Sequence, residues 1–347
     1  MTNSRDFERI FSGKRHSWIV TGGAGFIGSH LVENLLLADQ RVVVIDNFAT
    51  GKPENLENVK SKLSSKQIAN LDFHEADIRD RDKMRELIRD ADFVLHQAAL
   101  GSVPRSIKDP WASHDVNVNG FISMLEAARE AKVKRFVYAS SSSVYGDHPV
   151  LPKVESQIGN PLSPYAATKR TNEIYARAYS SAYGMTLIGL RYFNVFGARQ
   201  DPDGPYAAVI PLWFRGVINN TEVVINGDGE TSRDFCYIDN VVQANFKAAL
   251  SGSLPNGKAF ELNIAAHRQT TLNQLYEMIR RKIAERSGDP KVLEHKPKYR
   301  DFREGDIRHS LADITLAREL VGYAPSVDVD GGLSEALQWY FESASGG

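Results

Sequence analysis

One cysteine, Cys236, stands in 347 residues, so no disulfide can form within the chain and stability must come from a packed core. A lone thiol fits a reducing compartment. The N-terminal MTNSRDFERIFSGKRHSW holds no apolar stretch resembling a secretory signal, so a cytoplasmic location is expected. No apolar run approaches the roughly 18 residues of a membrane span. Neither charge is in excess: 42 Lys and Arg against 43 Asp and Glu leave a formal net charge of −1. That balance gives no electrostatic case for nucleic acid or an anionic membrane as partner. The nine histidines are scattered without ligand spacing, so no metal site is expected. There is no internal repeat and no low-complexity tract.

What is present is ordinary in amount and ordered in pattern. The chain is 42% hydrophobic and 24% charged, long enough for one large domain or two moderate ones. SWIVTGG, RVVVIDN, FVLHQAA, KRFVYASS and MTLIGLRYFNV read as buried strands. SHLVENLLLAD, FISMLEAAREA and SPYAATKRTNEIYARAYSSAYG have helical spacing. Alternation of this kind predicts an α/β fold, a Rossmann-type doubly wound parallel sheet, with a smaller α/β substrate-binding domain. Residues 1–17 are expected as an N-terminal extension and 18–190 as the dinucleotide-binding domain. After about residue 190 the rhythm breaks into glycine- and proline-rich loops, so 191–347 is expected to be mainly the substrate domain, with segments near 235–265 returning to the first. Thr271 is the expected N-cap of a helix over QTTLNQLYEMIRRKIAER.

The first strand runs into TGGAGFIGSH, spaced Gly22-x-x-Gly25-x-x-Gly28. Glycines there let backbone approach a pyrophosphate and let the following helix pack on the strand; the helix N-terminus then favours the negative charge. A plain tight turn is the bland alternative, but the position between strand and helix favours a dinucleotide. Asp46 ends the second strand, 18 residues past Gly28. A carboxylate there suits the ribose hydroxyls of NAD and repels the 2′-phosphate of NADP; a strand-end turn residue is the other reading.

Tyr165 and Lys169 stand four apart in SPYAATK, on one face of the helix they open. With 13 tyrosines and 17 lysines, chance gives about 0.6 such pairs, so the pair is helix surface or a base with its tuner, and the stretch by itself does not decide. A nearby ammonium and the positive nicotinamide of a bound dinucleotide both favour the phenolate and lower its pKa, and a base needs a pKa near the working pH. The run YASSSSVYG ends a strand and offers a serine to orient a substrate hydroxyl.

These segments, together with IDNFATG, HQAA, RYFNVFG, GDGETSRDF and REGDIRHSLAD, resemble the extended short-chain dehydrogenases/reductases, and among them the nucleotide-sugar epimerases. The likeness covers nearly the whole chain. HQAALGSVPRS, YGDHP-x-LPKVE, LRYFNVFG-x-RQDPDG and INGDGETSRDFCYI resemble the bacterial UDP-N-acetylglucosamine 4-epimerases. The resemblance implies Ser141, Tyr165 and Lys169 as catalytic residues. It implies tightly bound NAD held by Gly22, Gly25, Phe26, Ile27, Gly28, Asp46, Asn47, Gly51, Asp77, Ile78, Gln97, Ala98, Ala99, Asn117, Tyr165, Lys169 and Tyr192. It implies a UDP-sugar held by Ser102, Ser142, Ser143, Asn194, Arg233, Arg303, Asp306 and Ser310, the two arginines clamping the pyrophosphate. It also implies a homodimer paired through a four-helix contact of the Tyr-Lys helix and the helix near 112–132. Related 4,6-dehydratases carry an Asp-Glu pair where this chain has Ser142 and Ser143, so dehydration is not expected.

The expected reaction is 4-epimerisation. Tyr165 takes the 4-hydroxyl proton, C4 is oxidised, the 4-keto sugar turns over and hydride returns to its other face. Ser310 stands where a galactose-restricted enzyme would carry a bulky tyrosine, so UDP-GlcNAc and UDP-GalNAc are the expected pair, with UDP-Glc and UDP-Gal also accepted. An ordinary loop serine is the bland reading. The alternative is a UDP-uronic acid 4-epimerase, in which His309, Arg308 and Arg105 meet the carboxylate. A non-catalytic NAD-binding sensor would be expected to lack the Ser, Tyr or Lys, and all three are present. On this reading Tyr165→Phe lowers the rate of UDP-sugar interconversion by about 10²–10⁴-fold, measured by chromatography of the nucleotide sugars.

Overall fold

The protein is described by a computed structural model covering residues 10–201, 208–302 and 307–345. Seven strands make one sheet: β1 (Ser17–Thr21), β2 (Arg41–Asp46), β3 (Leu71–Glu75), β4 (Phe93–His96), β5 (Arg135–Ser141), β6 (Leu187–Tyr192) and β7 (Ala259–Ile264). Their order is β7-β6-β5-β4-β1-β2-β3 and every pairing is parallel. The chain starts mid-sheet at β1, builds outward to β3, then crosses back to lay β4 on the other side of β1. That reversal opens a crevice at the carboxyl ends of β1 and β4.

Parallel strands need both faces covered, and the side chains record it. β4 and β6 are buried at every position. Val20, Leu95, Val137 and Ile188 enter one core cluster, while their neighbours Ile19, Val94, Phe136 and Leu187 enter the other. The first face is covered by helices α1 (Phe26–Leu37) and α4 (Ile238–Leu250), through Leu31, Leu35, Val241 and Phe246. The second is covered by α2 (Gly120–Glu130) and α3 (Pro164–Tyr183), through Phe121, Met124 and Ala176. The apolar side of α2 is therefore taken up by its own core.

β1 begins at Ser17, one residue before the expected boundary. Phe11 is buried with Trp18 and Phe246, its ring 5.9 Å and 5.3 Å from theirs. β6 runs to Tyr192, past the expected break at 190, and α4 and β7 both belong to the sheet layer. The other described residues after Tyr192 build a smaller layer. It holds the helix Val209–Ile218, α5 (Leu272–Ser287) and α6 (Val329–Ser345), with three two-stranded ladders. α5 starts at a capping box of Thr271 and Gln274 and stops at Gly288, φ +70°.

α3 is set by its ends. The Ser163 hydroxyl accepts from the Ala166 amide, Pro164 occupies the first turn, and Gly184 at φ +68° ends the helix. Tyr165 therefore lies in the first turn, with Lys169 one turn below it.

Phe214 stacks on Tyr340 at 4.1 Å with planes 12° apart, and both are fully buried. Phe214→Ala should cost about 3–5 kcal/mol and lower the melting temperature, read by circular dichroism.

Candidate active site

A cleft of about 770 Å³ lies along the carboxyl edge of the sheet, from Asp46 and Asp77 past the glycine turn to Tyr165 and Lys169, within the range of small-molecule sites. At its centre Gly22 has φ +67°, and a Cβ there would lie 2.8 Å from the Ala98 backbone nitrogen. A Cβ on Gly28 would lie 2.0 Å from the Gly22 carbonyl oxygen. No other residue allows the turn and α1 to close this tightly. Gly25 caps α1 without a side chain, so the first-turn amides have no side-chain acceptor.

Asp46 accepts from the Ala24 amide at 2.9 Å and the Phe48 amide at 2.8 Å. Burial raises its pKa, and these two bonds pull the other way. Two accepted bonds leave lone pairs for a diol. Asn47 donates to Asp77 at 2.9 Å, and Arg79 grips Asp77 on one side and Asp115 on the other, holding the Asp77 carboxyl below its ordinary range.

At the far end, Tyr165 stands half-buried in the cleft wall, its phenol toward Ser141 of the same wall. The Lys169 ammonium stands 5.9 Å from the Tyr165 ring centre and donates to the Ala139 carbonyl at 2.8 Å. Lys169 by itself does not bring the phenol pKa down. Burial raises the phenol pKa, the Ser141 bond opposes that, and burial pushes Lys169 down to about 8. The ammonium is turned to a neutral carbonyl, so desolvation outweighs its charge. His96, buried beneath with Nδ1 2.8 Å from the Thr21 hydroxyl, is pushed down to about 3 and stays neutral.

The structure brings Gly22, Gly25, Phe26, Ile27, Gly28, Asp46, Asn47, Gly51, Asp77, Ile78, Gln97, Ala98, Ala99, Ser141, Tyr165, Lys169 and Tyr192 into the wall of this one cleft. Asn117 is not in that wall. It sits in a π-helical turn, Asp115–Asn119, and bonds both backbone groups of Leu100 and the Thr168 hydroxyl. It shapes the 98–101 turn from behind. Ser102 caps the short helix Val103–Lys108 through the Arg105 amide. Ser143 donates to the Ser141 hydroxyl at 2.9 Å, and Ser142 opens the same 3₁₀ turn. Asn194 has φ +29° and accepts from the Cys236 amide through its carbonyl. Arg233 and Ser310 belong to the smaller layer; Ser310 is half-buried, its amide bonded to the Ser232 carbonyl. Arg303 and Asp306 lie outside the described residues. Of the groups considered for a sugar carboxylate, Arg308 pairs with Asp228 at 2.7 Å and His309 is tied to the Ser232 hydroxyl. Arg105 lines the cleft.

Sequence reasoning missed Arg79, Asn245 and the buried pair Glu173 and Arg191. Asn245 donates to the Tyr192 hydroxyl at 2.9 Å and accepts from Gln97 at 3.1 Å, fixing two residues of the wall. The available signal was a polar residue inside an apolar element: Asn245 in α4 and Arg191 in β6. A second cleft of about 680 Å³ lies between Phe11, Arg135 and Gly184, apart from Tyr165.

The model of the NAD dependent epimerase/dehydratase family matches residues 18–265. A putative UDP-glucose 4-epimerase of Methanocaldococcus jannaschii is 36% identical over 92% of this chain and 97% of its own. The solved UDP-N-acetylglucosamine 4-epimerase of Methanobrevibacter ruminantium M1, in complex with UDP-N-acetylmuramic acid, is 37% identical with a TM-score of 0.85, over 95% of this chain and 99% of that one. The UDP-glucuronic acid 4-epimerase of Bacillus cereus, in complex with UDP-glucuronic acid and NAD, is 30% identical with a TM-score of 0.82, over 94% and 99%.

Gly28→Ala must push the turn away from α1. It should weaken dinucleotide binding by about tenfold or more with the helical spectrum intact, measured by calorimetric titration with NAD.

Proposed function

The chain belongs to the NAD dependent epimerase/dehydratase family, and we propose that it is a UDP-sugar 4-epimerase whose principal substrates are UDP-GlcNAc and UDP-GalNAc. The observation that carries this reading is one cleft with a dinucleotide cradle at its centre and Ser141, Tyr165 and Lys169 together at its end. The donor set fits NAD: a glycine turn against uncapped helix amides for the pyrophosphate, and a carboxylate with free lone pairs for a ribose diol. When bound, NAD supplies reversible hydride acceptance at the sugar C4.

The chain's own residues handle protons and position. Tyr165, ionised, takes the proton of the 4-hydroxyl and later returns it. Ser141, in the same wall as the phenol, is assigned to orient that hydroxyl. A bond from its hydroxyl favours the phenolate against burial. Lys169, pushed to about 8, remains largely protonated at neutral pH and serves as donor to the cofactor ribose. Ser142 and Ser143 carry no carboxylate, which favours epimerisation over removal of water. Arg233, with Arg303 and Asp306, is assigned to the uridine diphosphate, and Ser102 and Asn194 to the sugar side.

The choice of sugar rests on Ser310. A small side chain there leaves room for a 2-acetamido group, and the M. ruminantium relative supports the acetylated pair. The uronic alternative draws support from Arg105 in the wall and from the B. cereus relative. It is weakened by the pairing of Arg308 with Asp228. We also infer a homodimer through the outer face of α3, where Ile174 and Tyr175 are exposed.

A panel of hexose, acetamido and uronic UDP-sugars should give fastest turnover on the acetamido pair without net NADH. Ser310→Tyr should cut that turnover by about tenfold or more and spare the hexose pair; equal activity on both pairs would overturn the steric assignment. Sedimentation should give twice the chain mass, and Ile174→Asp with Tyr175→Asp should return the monomer.

A further inference from the structure

Below the cleft, α3 presents a third residue in line with the Tyr-Lys pair. Tyr165, Lys169 and Glu173 follow at spacings of four, on one helix face. Each engages one of three consecutive residues of β5. Tyr165 shares the cleft wall with Ser141. Lys169 donates to the Ala139 carbonyl at 2.8 Å. Ser140 donates to Glu173 Oε1 at 2.7 Å.

Glu173 is itself held in place. Arg191 Nε and Nη2 donate to its two oxygens at 2.8 Å and 2.9 Å, and both side chains are fully buried. Arg191 lies on β6 directly opposite Ser140 in the register, as Tyr192 lies opposite Ser141. Its remaining donor reaches the Tyr145 hydroxyl at 3.1 Å and the Glu155 carbonyl at 3.0 Å. One carboxylate therefore ties the helix that carries the base to the strand that carries the serine, and to the strand beside it. A buried ion pair of this kind adds little stability over an apolar pair of the same volume. Its consequence is geometric: the carboxylate sits at one height and one rotation of the helix on the sheet.

We propose that Glu173, clamped by Arg191 and bonded to Ser140, is a positioning residue that sets α3 on β5 so that the Tyr165 phenol meets Ser141. The inference rests on the epimerase reading for its kinetic arm alone. Glu173→Ala would strand the Arg191 charge in the core and unfold the protein, so the informative variant is Ser140→Ala, which removes one rung and keeps the ion pair.

Two readouts are needed on the full chain. In UDP-sugar interconversion, Ser140→Ala should lower kcat by about tenfold and leave KM within about twofold. In an ultraviolet difference titration, each protein minus its Tyr165→Phe counterpart, the phenol midpoint should rise by about half a unit or more, because a displaced Ser141 stabilises the phenolate less. The other charged or titratable groups around the phenol stay unchanged in the variant: Lys169 on the same helix, neutral His96 on β4, Arg105 in the cleft wall, and the Glu173, Arg191 and Arg170 cluster. An unmoved phenol midpoint overturns the proposal, even if kcat and melting temperature both fall, since that pattern is general loosening. A shifted midpoint in a chain inert on every UDP-sugar supports it and removes the epimerase reading instead.

Discussion

Everything in this molecule follows from one constraint: a sheet whose strands all run the same way must be covered on both faces and ends all its strands at the same edge. The alternation of Ile19 and Val20, or of Phe136 and Val137, between two core clusters meets the first demand. The second brings the glycine turn after β1, Asp46 after β2, Gln97 after β4 and Ser141 at the end of β5 to one rim. The reversal between β1 and β4 parts their loops and makes that rim a cleft.

Within the cleft, desolvation sets the electrostatics. Desolvation pushes Tyr165 up and Lys169 down, and the ammonium bonds a carbonyl. The phenol therefore depends on the neighbouring Ser141 hydroxyl and on whatever charge a bound ligand brings. That places a premium on where the strand end sits relative to the helix. The pair of Glu173 and Arg191 beneath, with Ser140, is the part of the core able to fix it. The electrostatics and the packing of this site are thus one problem.

The smaller layer is built with less regularity. Its ladders are two or three residues long, and the turn after β6 carries Asn194, whose backbone is left-handed. Solved structures of UDP-glucose, UDP-N-acetylglucosamine and UDP-glucuronic acid 4-epimerases share this fold at comparable identity. The difference among such enzymes must lie in a few side chains around the sugar, which is why the reading of the sugar turns on a residue as small as Ser310.

The α/β alternation, the glycine spacing, the helix opened by Ser163 and Pro164, and the Tyr-Lys pair were all legible in the chain, because each is a local matter of period, turn or cap. The cofactor residues expected from these segments line one cleft, apart from Asn117, which a π-helical turn rotates behind it. Tertiary structure decided what local pattern cannot hold: that Arg191 of β6 would meet Glu173 of α3, that Asn245 would join Gln97 to Tyr192, and that burial would overrule Lys169 at the phenol. Periodicity announces which face a residue takes, but the partner on that face comes from a distant stretch of chain, and the dielectric around it exists only once both are packed.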